Sequence, residues 1–201
     1  FPIQERLDYY AAADLKEIFA RQREIPLANG TSIGVGFAPY TALEAAVLAT
    51  AEMLASPTFR KSFPCAGLDF KVMGLRNREA VTLTIALAVI DRHIASVREY
   101  FERKDAMRDY LAACAPAGAA MRINTLDDPG AKDESGVYLT VSGTSAEMGD
   151  DGQVGRGNRA SRLITPGRPM SLEACAGKNP VSHVGKIYNV LAMTIARELH
   201  E

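Results

Sequence analysis

From Gly143 to Asn189 the chain reads GTSAEMGDDGQVGRGNRASRLITPGRPMSLEACAGKNPVSHVGKIYN, a run dense in glycine and charge. Its glycines are Gly143, Gly149, Gly152, Gly155, Gly157, Gly167, Gly177 and Gly185; between them stand Asp150 and Asp151, then Arg156, Arg159, Arg162, Arg168 and Lys178. Glycine admits positive φ and lets a backbone approach a ligand closely. A guanidinium presents a fixed fork of donors that suits phosphate oxygens. Paired carboxylates are hard oxygen ligands of the kind Mg²⁺ takes when it bridges to phosphates. These are the ingredients of a polyphosphate site with a divalent cation. The known phosphate fingerprints, GxxxxGK(S/T) and a GxGxxG after a strand, are absent. A solvated, charged surface loop accounts for the same composition equally well. Long irregular segments in compact domains are usually functional or disordered, and a helix read over residues 180–199 would tie this one down.

The 201 residues suffice for one large domain or two small ones. A hydrophobic fraction of 47% and a charged fraction of 23% are those of a soluble globular protein. The net charge of -1 gives no reason to expect nucleic acid or an anionic membrane as a partner. Any anion site must come from local clustering. Cys65, Cys114 and Cys175 show neither metal-ligand spacing nor a disulfide framework, so reduced cysteines in a cytoplasmic protein are expected. No signal peptide is visible, and no apolar run reaches the ~20 residues that span a bilayer. The chain starts at Phe1 without an initiator Met, which reads as a cut inside a longer protein.

Apolar residues at helical spacing predict a helix over Gln4–Arg23 (Leu7, Tyr10, Ala11, Leu15, Ile18 and Phe19). The segment IPLANGTSIGVGFAPY, broken by Pro26, Gly30, Gly34, Gly36 and Pro39, reads as a substrate-facing loop or a domain crossover. Thr41 with Glu44 three residues on is a capping box opening a helix to Ala55, and Ser56-Pro57 ends it and opens a short second one through Lys61. Leu68–Leu75 alternates, with Leu68, Phe70 and Val72 on one side, and Val81–Ile90 is continuously apolar. The pair predicts a hairpin about a polar turn at Arg76–Glu79, its second strand buried on both faces. A helix over Ile94–Cys114 follows (Ile94, Val97, Phe101, Met107 and Leu111 inward), then strands at Ala119–Asn124 and Val137–Ser142 about a turn-rich connection. A last helix is read with Ile187, Val190, Leu191, Thr194, Ile195 and Leu199 inward. Strands in pairs predict an α+β fold, a mixed or antiparallel sheet with helices on one face. Three regions are expected: an N-terminal helix and crossover loop (1–40), an α+β domain with a hairpin (41–142), and the phosphate loop with the closing helix (143–201).

GTSAEMGDDGQVGRGNR followed by LITPGRPMSLEACAGKNPVSHVGKIYN, with FARQREIPLANGTSIGVGFAP and KVMGLRNREAVTLTIALAVIDR upstream, resembles the archaeal-type S-adenosylmethionine synthetases (methionine adenosyltransferases). The resemblance covers nearly the whole chain in one register. It implies the central portion of an interleaved multi-domain synthetase fold. It also implies an enzyme that condenses ATP with L-methionine, releasing pyrophosphate and phosphate, with Mg²⁺ required, K⁺ assisting, and an active site between the subunits of a homodimer.

Carried over by resemblance, Asp150 is the Mg²⁺ ligand. Arg156, Lys178 and His183 act on the triphosphate, and Asp151, Asn158, Arg159 and Lys186 support it. Two positions depart from the family pattern. Gly30 stands in ANGTS where the archaeal type has an aspartate facing the methionine ammonium, and Ala80 stands where a catalytic lysine is expected. A His-Pro-Asp motif of the family's N-terminal part and its C-terminal segment are also absent from this sequence. Two functions follow: a methionine adenosyltransferase whose triphosphate and Mg²⁺ half-site lies here, this chain alone being inactive, or a non-catalytic homologue that binds nucleotide or polyphosphate in a regulatory or structural role.

Overall fold

The computed structural model describes residues 32–115, 118–144, 157–178 and 183–201. The helix expected at Gln4–Arg23, Gly30, and the loop residues Asp150, Asp151 and Arg156 lie outside them. The chain divides into two compact units, residues 39–155 and residues 1–38 together with 156–201.

The first unit opens with helix α1 (Ala42–Ala55), capped as expected: the Thr41 hydroxyl accepts from Glu44 N and the Glu44 carboxylate accepts from Thr41 N. Ser56 ends α1 and caps α2 (Pro57–Ser62), whose Pro57 lies at the helix start, where it sacrifices no hydrogen bond. Strands β1 (Ala66–Asn77) and β2 (Ala80–Ile90) form the hairpin. Asn77 pairs with Ala80, so the turn is tighter than the sequence reading, only Arg78 and Glu79, with Arg78 at φ 55°. Helix α3 (Val97–Cys114), capped by Ser96, crosses to β3 (Ala120–Ile123), which lies parallel to β2 over Thr82–Ile85. The short β4 (Leu139–Thr140) lies parallel to the end of β2, at Val89 and Ile90. The sheet is therefore mixed, and the fold is α+β.

Leu83, Ile85, Leu87 and Val89 of β2 point into one core with Ala46 and Leu54 of α1, Phe59 of α2, and Tyr100, Met107 and Leu111 of α3. All three helices thus cover one face, as the strand pairing predicted. The other face of β2 is buried only toward its end, at Ala86 and Ala88; Thr82 and Thr84 are half-buried. On β1, Phe70 and Val72 turn to the core while Lys71, Met73 and Leu75 stay exposed. Leu68, expected on the same side as Phe70 and Val72, is instead 67% exposed. The register with β2 slips between Ala66 and Phe70, and such a bulge takes a residue out of the two-residue alternation. The slip has a visible cause: Leu68 N and Asp69 N both donate to the carbonyl of Gly143, a residue distant in sequence. Gly143 sits at φ 75°, and a β-carbon there would lie 2.7 Å from the Gly67 Cα. The long Gly-rich stretch therefore begins anchored to the hairpin.

α3 starts at Val97 rather than Ile94, because Ser96 is the cap and Ile94 packs on the core from the turn before it. Its most informative residue is Tyr100, which the sequence reading had not picked out. The buried phenol donates to Asp127 Oδ2 (2.8 Å) and accepts from Asn124 Nδ2 (3.0 Å). Lys104 reaches the same Asp127 carboxylate and the Asn124 carbonyl. Asn124 is buried with φ 44°, a conformation asparagine tolerates better than most residues. Its side-chain oxygen accepts from Leu87 N (2.8 Å) and its amide donates to Leu87 O (2.9 Å).

Burial, foremost, and the Asp127 charge push the Tyr100 phenol well above its ordinary value. The phenol is raised in the folded state, so its contribution is complete below the unfolded tyrosine pKa of about 10 and is lost as pH rises beyond it, where the unfolded chain ionises first. In urea titrations between pH 8 and 11, the wild-type protein is expected to lose stability more steeply than Tyr100→Phe; parallel pH profiles would refute the assignment. Asn124→Ala leaves both backbone groups of Leu87 buried without their partners and is expected to cost about 2–4 kcal/mol at neutral pH by the same titration.

Candidate polyphosphate site

In the second unit, helix α4 (Val184–His200) lies beside the extended segment 32–37. The contact is backbone to backbone. A β-carbon on Gly34 would come within 2.2 Å of the Tyr188 carbonyl oxygen, and one on Gly36 within 2.0 Å of that of Ala192. The buried Asn189 clamps the pair: its side-chain oxygen accepts from Val35 N (3.1 Å) and its amide donates to the carbonyls of Ile33 (3.1 Å) and Gly185 (2.8 Å). Glycine is needed at 34 and 36 because only a missing side chain permits this approach.

The buried face of α4 consequently consists of Gly185, Asn189 and Met193. This corrects the sequence reading, which turned Ile187, Val190, Leu191, Thr194, Ile195 and Leu199 inward. Ile187, Val190, Leu191 and Ile195 are about half exposed, Leu199 is 83% exposed and Thr194 is half-buried. Apolar periodicity located a real stripe on the helix. Contact by small residues and one carboxamide selected a different face.

The candidate site residues that the structure describes gather around the start of α4. The carbonyl of Asn158 accepts from Cys175 N (2.7 Å) and Ala176 N (3.0 Å), joining residues 158–159 to the turn that carries Lys178. Lys186 Nζ donates to the Lys178 carbonyl (2.8 Å), which ties that turn to the first turn of α4. His183 occupies the cap position of α4, exposed and with no side-chain capping bond. Asn158, Arg159, Lys178, His183 and Lys186 thus belong to one neighbourhood of one unit. Of the other cations in the stretch, Arg168 stacks its guanidinium over the Phe37 ring, 4.2 Å from the centroid, and Arg162 takes a positive φ of 63°.

Two features of the neighbourhood bear on an anion. Arg159 is only 9% exposed, and its Nε and Nη1 have no hydrogen-bond partner among the described residues; the buried Asn158 Oδ1 has none either. Buried donors of this kind are costly unless something accepts from them. The two lysines meanwhile stand at the positive end of a 17-residue helix, where its dipole disfavours cations and favours anions. One carboxylate offsets this charge: Glu173 Oε1 accepts from Lys178 Nζ. Sequence reasoning passed over Glu173, since an acidic residue inside a basic loop does not read as part of an anion site; its spacing of five residues from Lys178 across Gly177 was the available signal. Among the described residues, no group of three His, Cys, Asp or Glu side chains is placed to hold a metal ion. Cys65 and Cys175 are buried and Cys114 exposed, all three as free thiols. Among the described residues no helix is long and apolar enough to cross a membrane.

The family model for S-adenosylmethionine synthetase (AdoMet synthetase) matches residues 3–201. The chain is 53% identical over 192 residues to the S-adenosylmethionine synthase of Methanosphaera stadtmanae, covering 94% of this chain and 47% of that protein. It is 53% identical over 197 residues to the Pyrococcus horikoshii S-adenosylmethionine synthase, covering 94% and 48%. A protein of Aquifex aeolicus named probable S-adenosylmethionine synthase is 52% identical over 191 residues, covering 91% and 47%. The chain spans about half the length of the curated relatives it matches.

The backbone contact at Gly36 gives a direct check of how α4 is held. Gly36→Ala in the full-length protein is expected to raise hydrogen exchange of the α4 amides by at least about tenfold while leaving β1 and β2 protected. Unchanged exchange in α4 would mean that the segment 32–37 does not hold it.

Proposed function

The chain belongs to the S-adenosylmethionine synthetase family, and on that premise we propose that it carries the polyphosphate half-site of a methionine adenosyltransferase acting on ATP and L-methionine. In that reaction the methionine sulfur attacks the ribose C5′, the C5′–O bond breaks, and the triphosphate leaves with its bonding electrons. Hydrolysis of the triphosphate to pyrophosphate and phosphate follows. The leaving group carries several negative charges, and preorganised cations aimed at its oxygens lower the barrier to its departure.

The observation that carries this reading is Arg159, a buried guanidinium with two nitrogens that no described residue accepts from. A phosphate oxygen is an acceptor of the right charge and geometry. Lys178 and Lys186 add point charges at the start of α4, His183 stands at its cap, and the Asn158 side chain is a further polar group next to Arg159. Arg156, on phosphate, Asp150, holding Mg²⁺, and Asp151, in support, complete the proposed site on family resemblance. When bound, Mg²⁺ would neutralise phosphate oxygens that the protein's own cations do not reach. K⁺ assistance, a homodimer with shared active sites, and a cytoplasmic setting belong to the same reading.

A second reading, a homologue that binds polyphosphate without alkylating methionine, is favoured by Gly30, where the family pattern has an aspartate, and by Ala80. Ala80, at the family's expected lysine position, is exposed at the start of β2 and supplies no ammonium group. Incubation of the full-length protein with ATP, L-methionine and Mg²⁺ separates the two: S-adenosylmethionine formed at a turnover well above background rejects the second, and tripolyphosphate binding without product rejects the first.

The site itself is tested by calorimetry of the full-length protein with tripolyphosphate, with and without Mg²⁺. Binding is expected to be Mg²⁺-dependent. Arg159→Gln is expected to weaken it by about 10- to 100-fold, the range for a lost charged hydrogen bond, whereas Lys71→Ala on the outer face of the hairpin leaves it within about twofold. Equal affinities in the two variants would sink the assignment of Arg159 to the site.

A further inference from the structure

Among the described residues of this neighbourhood, Glu173 is the acid that meets its bases, and it is held there by more than its own pairing. Its backbone N–H donates to Ser171 Oγ (3.1 Å), and its side chain packs over Gly185, where a β-carbon would lie 2.9 Å from both Cγ and Cδ of Glu173. The glycine in the first turn of α4 thereby leaves room for a carboxylate at the helix start. That carboxylate is bonded to Lys178 Nζ, with both side chains about one-third exposed. The carbonyl of the same lysine is fixed by Lys186. The Lys178 ammonium is therefore oriented from two sides, its backbone by one neighbour and its charge by another.

The structure assigns Glu173, we propose, as the resident counter-ion of Lys178: a positioning residue that holds the ammonium while the site is empty and competes with an incoming polyphosphate for it. The proposal rests on the polyphosphate reading above and deepens it. Three physical points support it. Lys178, Lys186 and the start of α4 repel one another when no anion is present, and a carboxylate offsets this repulsion. An ammonium has three donors, so Lys178 can turn from carboxylate to phosphate without passing through an unpaired state. A partly exposed pair costs little to break compared with a buried one, which makes the exchange reversible. The carboxylate opposes anion binding and, by the same charge, favours release of the anionic product.

The test is tripolyphosphate affinity, measured with Mg²⁺ on the full-length protein and three variants whose folding is checked by thermal unfolding. Glu173→Gln keeps the shape and a hydrogen-bond acceptor but removes the charge. It is expected to tighten binding about two- to fivefold, the scale of a partly exposed ion pair that no longer has to be broken on binding. Glu173→Asp, which keeps the charge, is expected to stay within about twofold of wild type. In a Lys178→Met background the same Glu173→Gln change is expected to shift affinity by less than about twofold, because the competition has been removed. A merely structural role for Glu173 would loosen binding, so weaker or unchanged affinity in Glu173→Gln overturns the proposal, as does equal tightening with and without Lys178. If Glu173→Gln fails to fold, the Glu173→Asp variant alone decides: affinity outside the twofold range overturns the proposal and affinity within it upholds it. Failure of folded wild-type protein to bind tripolyphosphate at all would refute the polyphosphate reading itself, a result distinct from each of these.

Discussion

The sheet of residues 39–155 is held at one point by a side chain that acts as backbone. Along one edge of β2, β3 supplies hydrogen-bond partners from Thr82 to Ile85 and β4 supplies them at Val89 and Ile90. Leu87 lies in the gap between, with no strand opposite. The Asn124 carboxamide fills the gap, accepting from the N–H of Leu87 and donating to its C=O. A primary amide can do this because it carries an acceptor and a donor in the same relation as a peptide unit. Its second N–H goes to Tyr100, which links the sheet edge to α3 and, through Asp127 and Lys104, to the connection beyond. The chain can thus end one strand and begin another on the same edge without leaving the buried backbone unsatisfied.

A comparable economy governs residues 157–201. One carbonyl, that of Asn158, receives two successive amides and so joins two sequence-distant pieces of the Gly-rich stretch. Among the described residues, α4 meets its neighbours through glycines and an asparagine. Contacts of backbone with backbone leave little freedom for the elements to slide. The polyphosphate site proposed above would need such rigidity, since its charged side chains would have to converge on the oxygens of one ligand.

What the sequence disclosed, and what it withheld, divides by the range of the interaction responsible. The Thr41–Glu44 capping box, the Ser56-Pro57 junction and the β1–β2 hairpin rest on neighbours within a few residues, and they are legible in the string. The bulge before Phe70 depends on Gly143, far along the chain, and its displacement of Leu68 could not be read locally. Tyr100 is not among the inward positions that helical spacing picks out; its buried phenol matters because of Asn124 and Asp127, which no periodicity indicates. The face of α4 was misread because hydrophobic spacing measures amphipathicity, whereas the packing partner was a glycine-lined backbone. Family resemblance singled out Asn158, Arg159, Lys178 and Lys186, but not Glu173, whose bond to Lys178 no local pattern indicates. Asp150, Asp151 and Arg156 lie outside the described residues.

The arrangement of β3 and β4 end to end on one edge of β2 also bears on the order in which this unit can assemble. The hairpin closes through two residues and is a local event that loop-closure entropy scarcely opposes. The parallel pairings come only after the chain has run through α3, and β4 requires the further span that passes Asn124. Until β3, Asn124 and β4 arrive, the far edge of β2 is an open template for any other strand. The stretch from β3 through Asn124 to β4 is therefore what closes the nascent sheet to foreign pairing, and the interval before it docks is when this unit is most exposed to aggregation.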